Sequence, residues 1–136
     1  MIEQKTLKIS THGRGMYPIT DLILETFVLP SEGLLNCFIQ HTSASLLIQE
    51  NYDPTAKADI EKFMCRLIPD SEKWYSHTLE GPDDSTSHLK STLTPTSLTI
   101  PIANSKLALG QWQGIYLFEH RLASHTRKII VTVYGE

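Results

Sequence analysis

The stretch GIYLFEHRLASHTRKIIVTVYG, residues 114–135, decides the fold class. Its two halves, 114–121 and 126–135, are rich in Ile, Val, Tyr and Phe, which suit a pleated surface, and both read as strands. Working outward, TSLTIPI (96–102) and QKTLKIS (4–10) read the same way. LLNCFIQ (34–40) and ASLLIQE (44–50) make two further apolar strands, joined through HTS as an expected hairpin. Helices are inserted among these strands without a steady βαβ alternation. That arrangement predicts an α+β domain, 1–136, with a mostly antiparallel curved sheet or sandwich and two to three helices.

The clearest helix is DPTAKADIEKFMCRLIP (53–69). Asp53 suits the N-cap, and Pro54 suits the first helical position, where its missing N–H costs nothing. Ile60, Phe63, Met64, Leu67 and Ile68 recur at spacings of three and four and predict one buried face. Lys57, Glu61, Lys62 and Arg66 fall mainly off it and read as solvated. TDLILETFV (20–28) predicts a second helix, capped by Thr20, with Leu22, Ile23 and Phe27 facing inward. STSHLKSTL (85–93) predicts a short third one, with Ser85 as a possible cap; 11–18, with two glycines and a proline, reads as loop.

Length and composition bound the function. The chain has 136 residues, 40% hydrophobic and 20% charged, which suits one domain with a usable core. Its net charge of −3 shows no basic excess for nucleic acid or an anionic membrane. The N-terminal MIEQKTLKIS lacks the apolar region of a signal peptide, and no apolar run reaches bilayer length, so a cytoplasmic protein is expected. Cys37 and Cys65 lie far apart without CxxC or Cys/His spacing. They read as two buried thiols rather than a disulfide or a zinc-cysteine site.

The chemistry-bearing residues gather in three places. YSHTLEGPDDSTSHLKS (75–91) holds His77, Glu80, Asp83, Asp84 and His88 with few apolar residues. It reads either as a solvated acidic turn or as a segment folding back to bring His77 and His88 to His41. Three imidazoles suit Zn²⁺ or a similar metal, and imidazoles with carboxylates suit proton transfer near neutral pH. In EHR (119–121), Glu119 and Arg121 share a strand face with Leu117, and His120 takes the other. They read either as a surface ion pair or as a phosphate-holding Arg beside a metal-binding or basic carboxylate. Glu50 and Asn51 follow the second strand of the expected hairpin. Ser43 stands near His41, but no GxSxG elbow accompanies it. His12, Arg14 and His125 lie beside loops and read as structural or solvent-facing.

Taken together, HTSASLLIQEN (41–51) followed by DPT (53–55), EGPDDSTSHLKS (80–91), TSLTIPI (96–102), LGQWQGIYLFEHR (109–121) and RKIIVTVYGE (127–136) resemble the YjbQ family. The likeness runs over nearly the whole chain, with the motifs in order. It implies a compact α+β homotrimer with a cleft holding the histidines and acids. It also implies a thiamine-phosphate synthase-like transferase, joining a hydroxymethylpyrimidine diphosphate to a thiazole phosphate with release of pyrophosphate, as a secondary activity. Matched residue by residue, His41, His88, Asp84 and Glu119 become catalytic candidates. His41, His77 and His88 become metal ligands, and Arg121, Trp112, Gln113, Glu50, Asn51 and Lys90 contacts to a small phosphorylated substrate. The family pattern has an Asn-Ala-Asp type sequence where this chain has Pro82-Asp83-Asp84, which leaves two aspartates for one role. Mg²⁺ on Asp83, Asp84 or Glu119 fits the transferase, whereas Zn²⁺ on three histidines fits the alternative, a metal-dependent hydrolase of a small substrate. A third reading is a trimer that binds a small anion without turnover.

Overall fold

The computed structural model describes residues 1–136. Eight strands and three helices follow one another as β1 (Ile2–His12), β2 (Gly15–Pro18), α1 (Thr20–Thr26), β3 (Glu32–Ile39), β4 (Ala44–Glu50), α2 (Pro54–Leu67), α3 (Asp84–Leu93), β5 (Ser97–Ala103), β6 (Lys106–Leu107), β7 (Gln113–Glu119) and β8 (Ser124–Gly135). Strands β1-β8-β3-β5-β6 form one sheet and β2-β7-β4 another. Every pairing is antiparallel, and the α+β class holds as expected.

The main core lies between the two sheets. Leu35, Cys37, Ile39, Val131 and Val133 of the large sheet meet Leu46, Ile115 and Leu117 of the small one, and Ile23 of α1 and Phe27 just after it join them. Tyr116 and Phe118 point the other way, onto Met16 of β2 and Met64 of α2. Strand β7 is therefore covered on both faces, which explains its nearly continuous apolar run.

Several sequence expectations are corrected. β3 and β4 do not form a hairpin: β3 pairs with β5 and β8, whereas β4 pairs with β7. Residues 40–43 instead carry the chain from one sheet to the other. The expected loop at 11–18 contains β2, held by its ladder to β7. Thr20 does not cap α1; it is the first helical residue, and its hydroxyl accepts from the Ile115 N–H at 2.8 Å. Leu22 is exposed while Ile23 and Phe27 are buried. Asp53 caps α2 as expected, accepting from the Thr55 N–H at 2.9 Å. Of the predicted α2 face, however, only Met64 is buried, and Phe63 and Leu67 are 60% and 52% exposed. Glu61 is not simply solvated, since its carboxylate accepts from the Met16 N–H at 2.8 Å. Asp83, without a side-chain bond to the helix, occupies the α3 cap position in place of Ser85. Both cysteines are free thiols, Cys37 buried and Cys65 half-buried.

Candidate metal centre

Helix α3 places Asp84 and His88 one turn apart, so both project from the same face. The preceding loop returns His77 to them. The ligand atoms of His77, Asp84 and His88 lie within 4.8 Å of one another. Asp84 Oδ2 is 2.6 Å from His77 Nε2 and 3.2 Å from His88 Nε2. The two rings lie 5.4 Å apart between centroids. Asp84 is buried, His88 half-buried and His77 exposed, so the group opens to solvent on one side.

The hydrogen bonding of His88 limits what this arrangement can be. Its Nδ1 lies 2.8 Å from the Thr42 carbonyl oxygen, which can only accept, so Nδ1 carries a proton. A neutral His88 then turns a lone pair at Nε2 toward the carboxylate oxygen of Asp84. Two lone pairs face each other unless a cation stands between them or the ring is itself an imidazolium. The carbonyl-oriented imidazole is also the common support of a metal ligand. On the other side of Asp84, Arg121 Nη1 donates to Oδ1 and leaves Oδ2 for the histidines. Burial by itself would raise the Asp84 carboxyl. The His77 hydrogen bond and the nearby His88 and Arg121 charges outweigh burial and hold it below the ordinary carboxylate range.

Asp83 has a different task. Its Oδ2 accepts from Arg121 Nε at 3.0 Å and from the Leu122 N–H at 2.9 Å. Asp84 faces the imidazoles, and Asp83 ties the loop after β7 to the start of α3.

His41 does not join the cluster as a ligand. Its Nε2 accepts from the Lys128 N–H at 2.8 Å, and Nδ1 lies 3.3 Å from Arg127 Nη1. Both ring nitrogens thus face donors. Burial and the Arg127 charge push its pKa down. The ligand atoms that converge are those of His77, Asp84 and His88, and the expected His41 stands outside that group. His41 instead lines, with Thr42, Ser43, His88, Thr92 and Thr96, an open cavity of about 960 Å³ beside that group.

Glu119 is not available to a metal or a substrate. It is fully buried, and Arg127 Nε donates to Oε1 at 2.7 Å and Nη2 to Oε2. Thr11 Oγ1 donates at 2.6 Å, and the His120 and Arg121 N–H groups donate at 3.0 and 3.1 Å. Burial opposes ionisation, but the Arg127 and Thr11 bonds keep the carboxyl below its ordinary range. Glu119 joins β7 of the small sheet to the large one, through its ion pair with Arg127 of β8 and its hydrogen bond from Thr11 of β1. Its partner is Arg127, not Arg121, because β7 ends at Glu119 and the chain leaves the strand before Arg121. Arg127 and His120 had no assigned role in the sequence reading. In Arg127 a signal was present: it shares the inward alternation of Ile129, Val131 and Val133.

The remaining expected contacts are separated from the cluster. Glu50 pairs with Gln113 at one end of the β4–β7 ladder, and Ala44 pairs with Glu119 at the other. That span is about 20 Å at the usual rise per strand residue. At the far end, the Asn51 amide donates to the Gln113 carbonyl at 3.3 Å, and Glu50 Oε2 accepts from the Tyr52 and Asp53 N–H groups. The Trp112 ring packs on Tyr52, centroids 4.9 Å apart. These side chains order the loops leading into α2 and β7. Lys90 also leaves the site: it is 1% exposed, and Nζ donates to Cys65 Sγ at 3.5 Å.

The family model described as UPF0047 protein YjbQ-like matches residues 5–136. The chain belongs to the YjbQ family. The YjbQ protein of Escherichia coli O157:H7 is 46% identical over 136 residues, covering 98% of both chains. The YugU protein of Bacillus subtilis strain 168 is 34% identical, covering 85% of this chain and 87% of its own. Among solved structures, a conserved hypothetical protein from Thermus thermophilus superposes with a TM-score of 0.85 at 30% identity, covering 96% of this chain and 99% of its own. One from Aeropyrum pernix gives 0.88 at 26%, covering 98% and 99%. The YjbQ fold is thus that of the whole chain. No helix is long and apolar enough to cross a membrane.

Proposed function

We propose that His77, Asp84 and His88 hold one divalent transition-metal ion and that the protein is a metal-dependent hydrolase of a small polar substrate bound in the adjoining cavity. The observation that carries this reading is the pair of imidazole nitrogens on a single carboxylate oxygen, with His88 Nδ1 committed to a carbonyl. Two nitrogens and one oxygen suit zinc or a similar ion better than Mg²⁺, which prefers oxygen. Ligand atoms in a tetrahedral shell with bonds of about 2.0–2.1 Å stand about 3.3 Å apart, close to the His88–Asp84 separation of 3.2 Å, whereas the 2.6 Å His77–Asp84 contact is a direct hydrogen bond that has to open to admit the ion. When bound, such an ion polarises a substrate oxygen and acidifies a coordinated water. Thr42 O fixes the tautomer of His88, and Arg121 fixes the rotation of Asp84. The hydroxyls of Thr42, Ser43, Thr92 and Thr96 offer hydrogen bonds to substrate.

The thiamine-phosphate synthase-like transferase is the second reading, supported by the size of the cavity, which has room for two small heterocycles. Its weakness is charge: Arg121 is bound to Asp83 and Asp84, Lys90 to Cys65, and Arg127 to Glu119. A diphosphate would rely on the ion for neutralisation. The trimer belongs to this same family-based proposal, and light scattering after size exclusion would test it.

The deciding experiment is calorimetric titration of chelator-treated protein with Zn²⁺, Mn²⁺ and Mg²⁺, repeated on His88→Ala and Asp84→Ala. Stoichiometric Zn²⁺ or Mn²⁺ uptake lost in both variants supports the centre. Equal uptake by all three proteins, or none by the wild type, overturns it. Loaded protein is then assayed against phosphate and carboxylic esters, and separately for pyrophosphate release from the two transferase substrates.

A further inference from the structure

On the far side of α3 from the histidine cluster lies a second group of reactive side chains. Lys90 is almost completely buried, yet no carboxylate pairs with it. The hydrogen-bond acceptor of its Nζ is Cys65 Sγ, 3.5 Å away. A buried amine so placed is unusual, since lysine is seldom buried without a carboxylate partner. Arg14 Nη1 reaches the same sulfur at 4.0 Å while its guanidinium holds Asp70 in a two-pronged pair. Cys65 is half-buried and lines, with Arg14, Glu61, Lys62, Lys90 and Phe118, a cavity of about 280 Å³ open to solvent. A small oxidant therefore has access to the sulfur, and the amine waits behind it. Cys37 offers the contrast: it is fully buried in the main core, and burial pushes its thiol up to about 12.

We infer that Cys65 is a modification site for small hydroperoxides, and that its oxidised sulfur is captured by Lys90 in a covalent sulfur–nitrogen link between α2 and α3. In the first step Cys65 Sγ attacks the terminal peroxide oxygen. An S–O bond forms, the O–O bond breaks, and the departing hydroxide of hydrogen peroxide, or alkoxide of an organic hydroperoxide, takes the thiol proton and leaves as water or alcohol, giving a sulfenic acid. In the second step Lys90 Nζ attacks that sulfur. An S–N bond forms, the S–O bond breaks, and the hydroxide takes a proton from nitrogen and leaves as water. The pair loses two hydrogens, sulfur gives up two electrons, and the peroxide accepts them. The count is unchanged whether the shared proton starts on sulfur or nitrogen. The amine already touches the sulfur, so capture competes well with further oxidation to the sulfinic acid. The link would tie α3, which carries Asp84 and His88, to α2, and a thiol reductant would reverse it.

The test treats the full-length protein with hydrogen peroxide and follows its intact mass, then maps peptides. The expected product is lighter by about 2 Da, joins the peptides of Cys65 and Lys90, and returns to the starting mass with dithiothreitol. It is absent from Cys65→Ser and from Lys90→Met, whose folding is checked by circular dichroism. Wild-type protein that instead gains about 32 Da at Cys65 without a cross-link overturns capture by Lys90. Unmodified Cys65 under conditions that oxidise surface methionine overturns the site. The wild-type mass alone decides, so a variant that fails to fold does not rescue the idea.

Discussion

Lowering the pH from 7 to 4.5 should cost this protein on the order of 2–3 kcal/mol through His120 alone. His120 is fully buried; Ser45 Oγ meets its Nε2 at 2.9 Å, and its Nδ1 has no partner. Phe118 packs on the ring with centroids 4.6 Å apart. Burial first, and then the positive charges of Lys90, Arg14 and Arg127 against the opposing Glu119, lower its pKa from 6.5 to about 3. A folded pKa below the unfolded one means that the unfolded chain takes up a proton which the folded chain refuses. The contribution is complete above the unfolded value and drains away as pH falls from about 6.5 toward 3. With those two values, the linkage integral is small at pH 7 and on the order of 2–3 kcal/mol at pH 4.5. For a chain of this length the difference lowers Tm by on the order of 10 °C. Urea denaturation at both pH values, on wild type and His120→Gln, isolates the effect. The carboxylates with depressed pKa values lose their contribution at lower pH, and His41 remains in both proteins. The wild type should lose on the order of 2–3 kcal/mol more than the variant over this range. Parallel pH profiles for the two proteins would show that the ring is not held neutral by its surroundings.

Arg127→Met leaves the Glu119 carboxylate buried without its counter-ion and should cost about 3–5 kcal/mol in urea denaturation. The double variant Arg127→Met/Glu119→Leu should recover most of that loss, and additive costs would mean that the pair is not the joint between the sheets. Arg121→Ala keeps all three candidate ligands but frees Asp84 to rotate, so Zn²⁺ affinity by calorimetry should fall about 10–100-fold. Unchanged affinity would remove Arg121 from the support of the site. Gly33 and Gly135 cross at the β3–β8 ladder, where a Cβ on Gly33 would run into the Tyr134 backbone oxygen. Gly33→Ala should therefore lower stability by more than about 2 kcal/mol, and a neutral result would show that the ladder shifts freely.

Local chemistry was enough to read much of the fold. The strand at 126–135 follows from its own alternation, and the start of α2 from Asp53 and Pro54, because a pleat period and a cap act over a few residues. The pairing partners were not local. LLNCFIQ and ASLLIQE read as a hairpin because they are adjacent apolar strands, but closure of the core between the sheets puts them in different sheets.

The candidate site divides along the same line. Asp84 and His88 share one face only because α3 begins at Asp84, one residue before the helix expected at 85–93. The return of His77, the withdrawal of His41 to Lys128 and Arg127, and the burial of Glu119 depend on contacts between distant segments. Residue type states what a side chain can do: carboxylate, imidazole and ammonium are chemically the same wherever they stand. Which of them meet, and with how much water, is decided by tertiary packing. That is why Lys90, one turn from Ser87 on a helix of polar residues, ends beside a thiol rather than a phosphate.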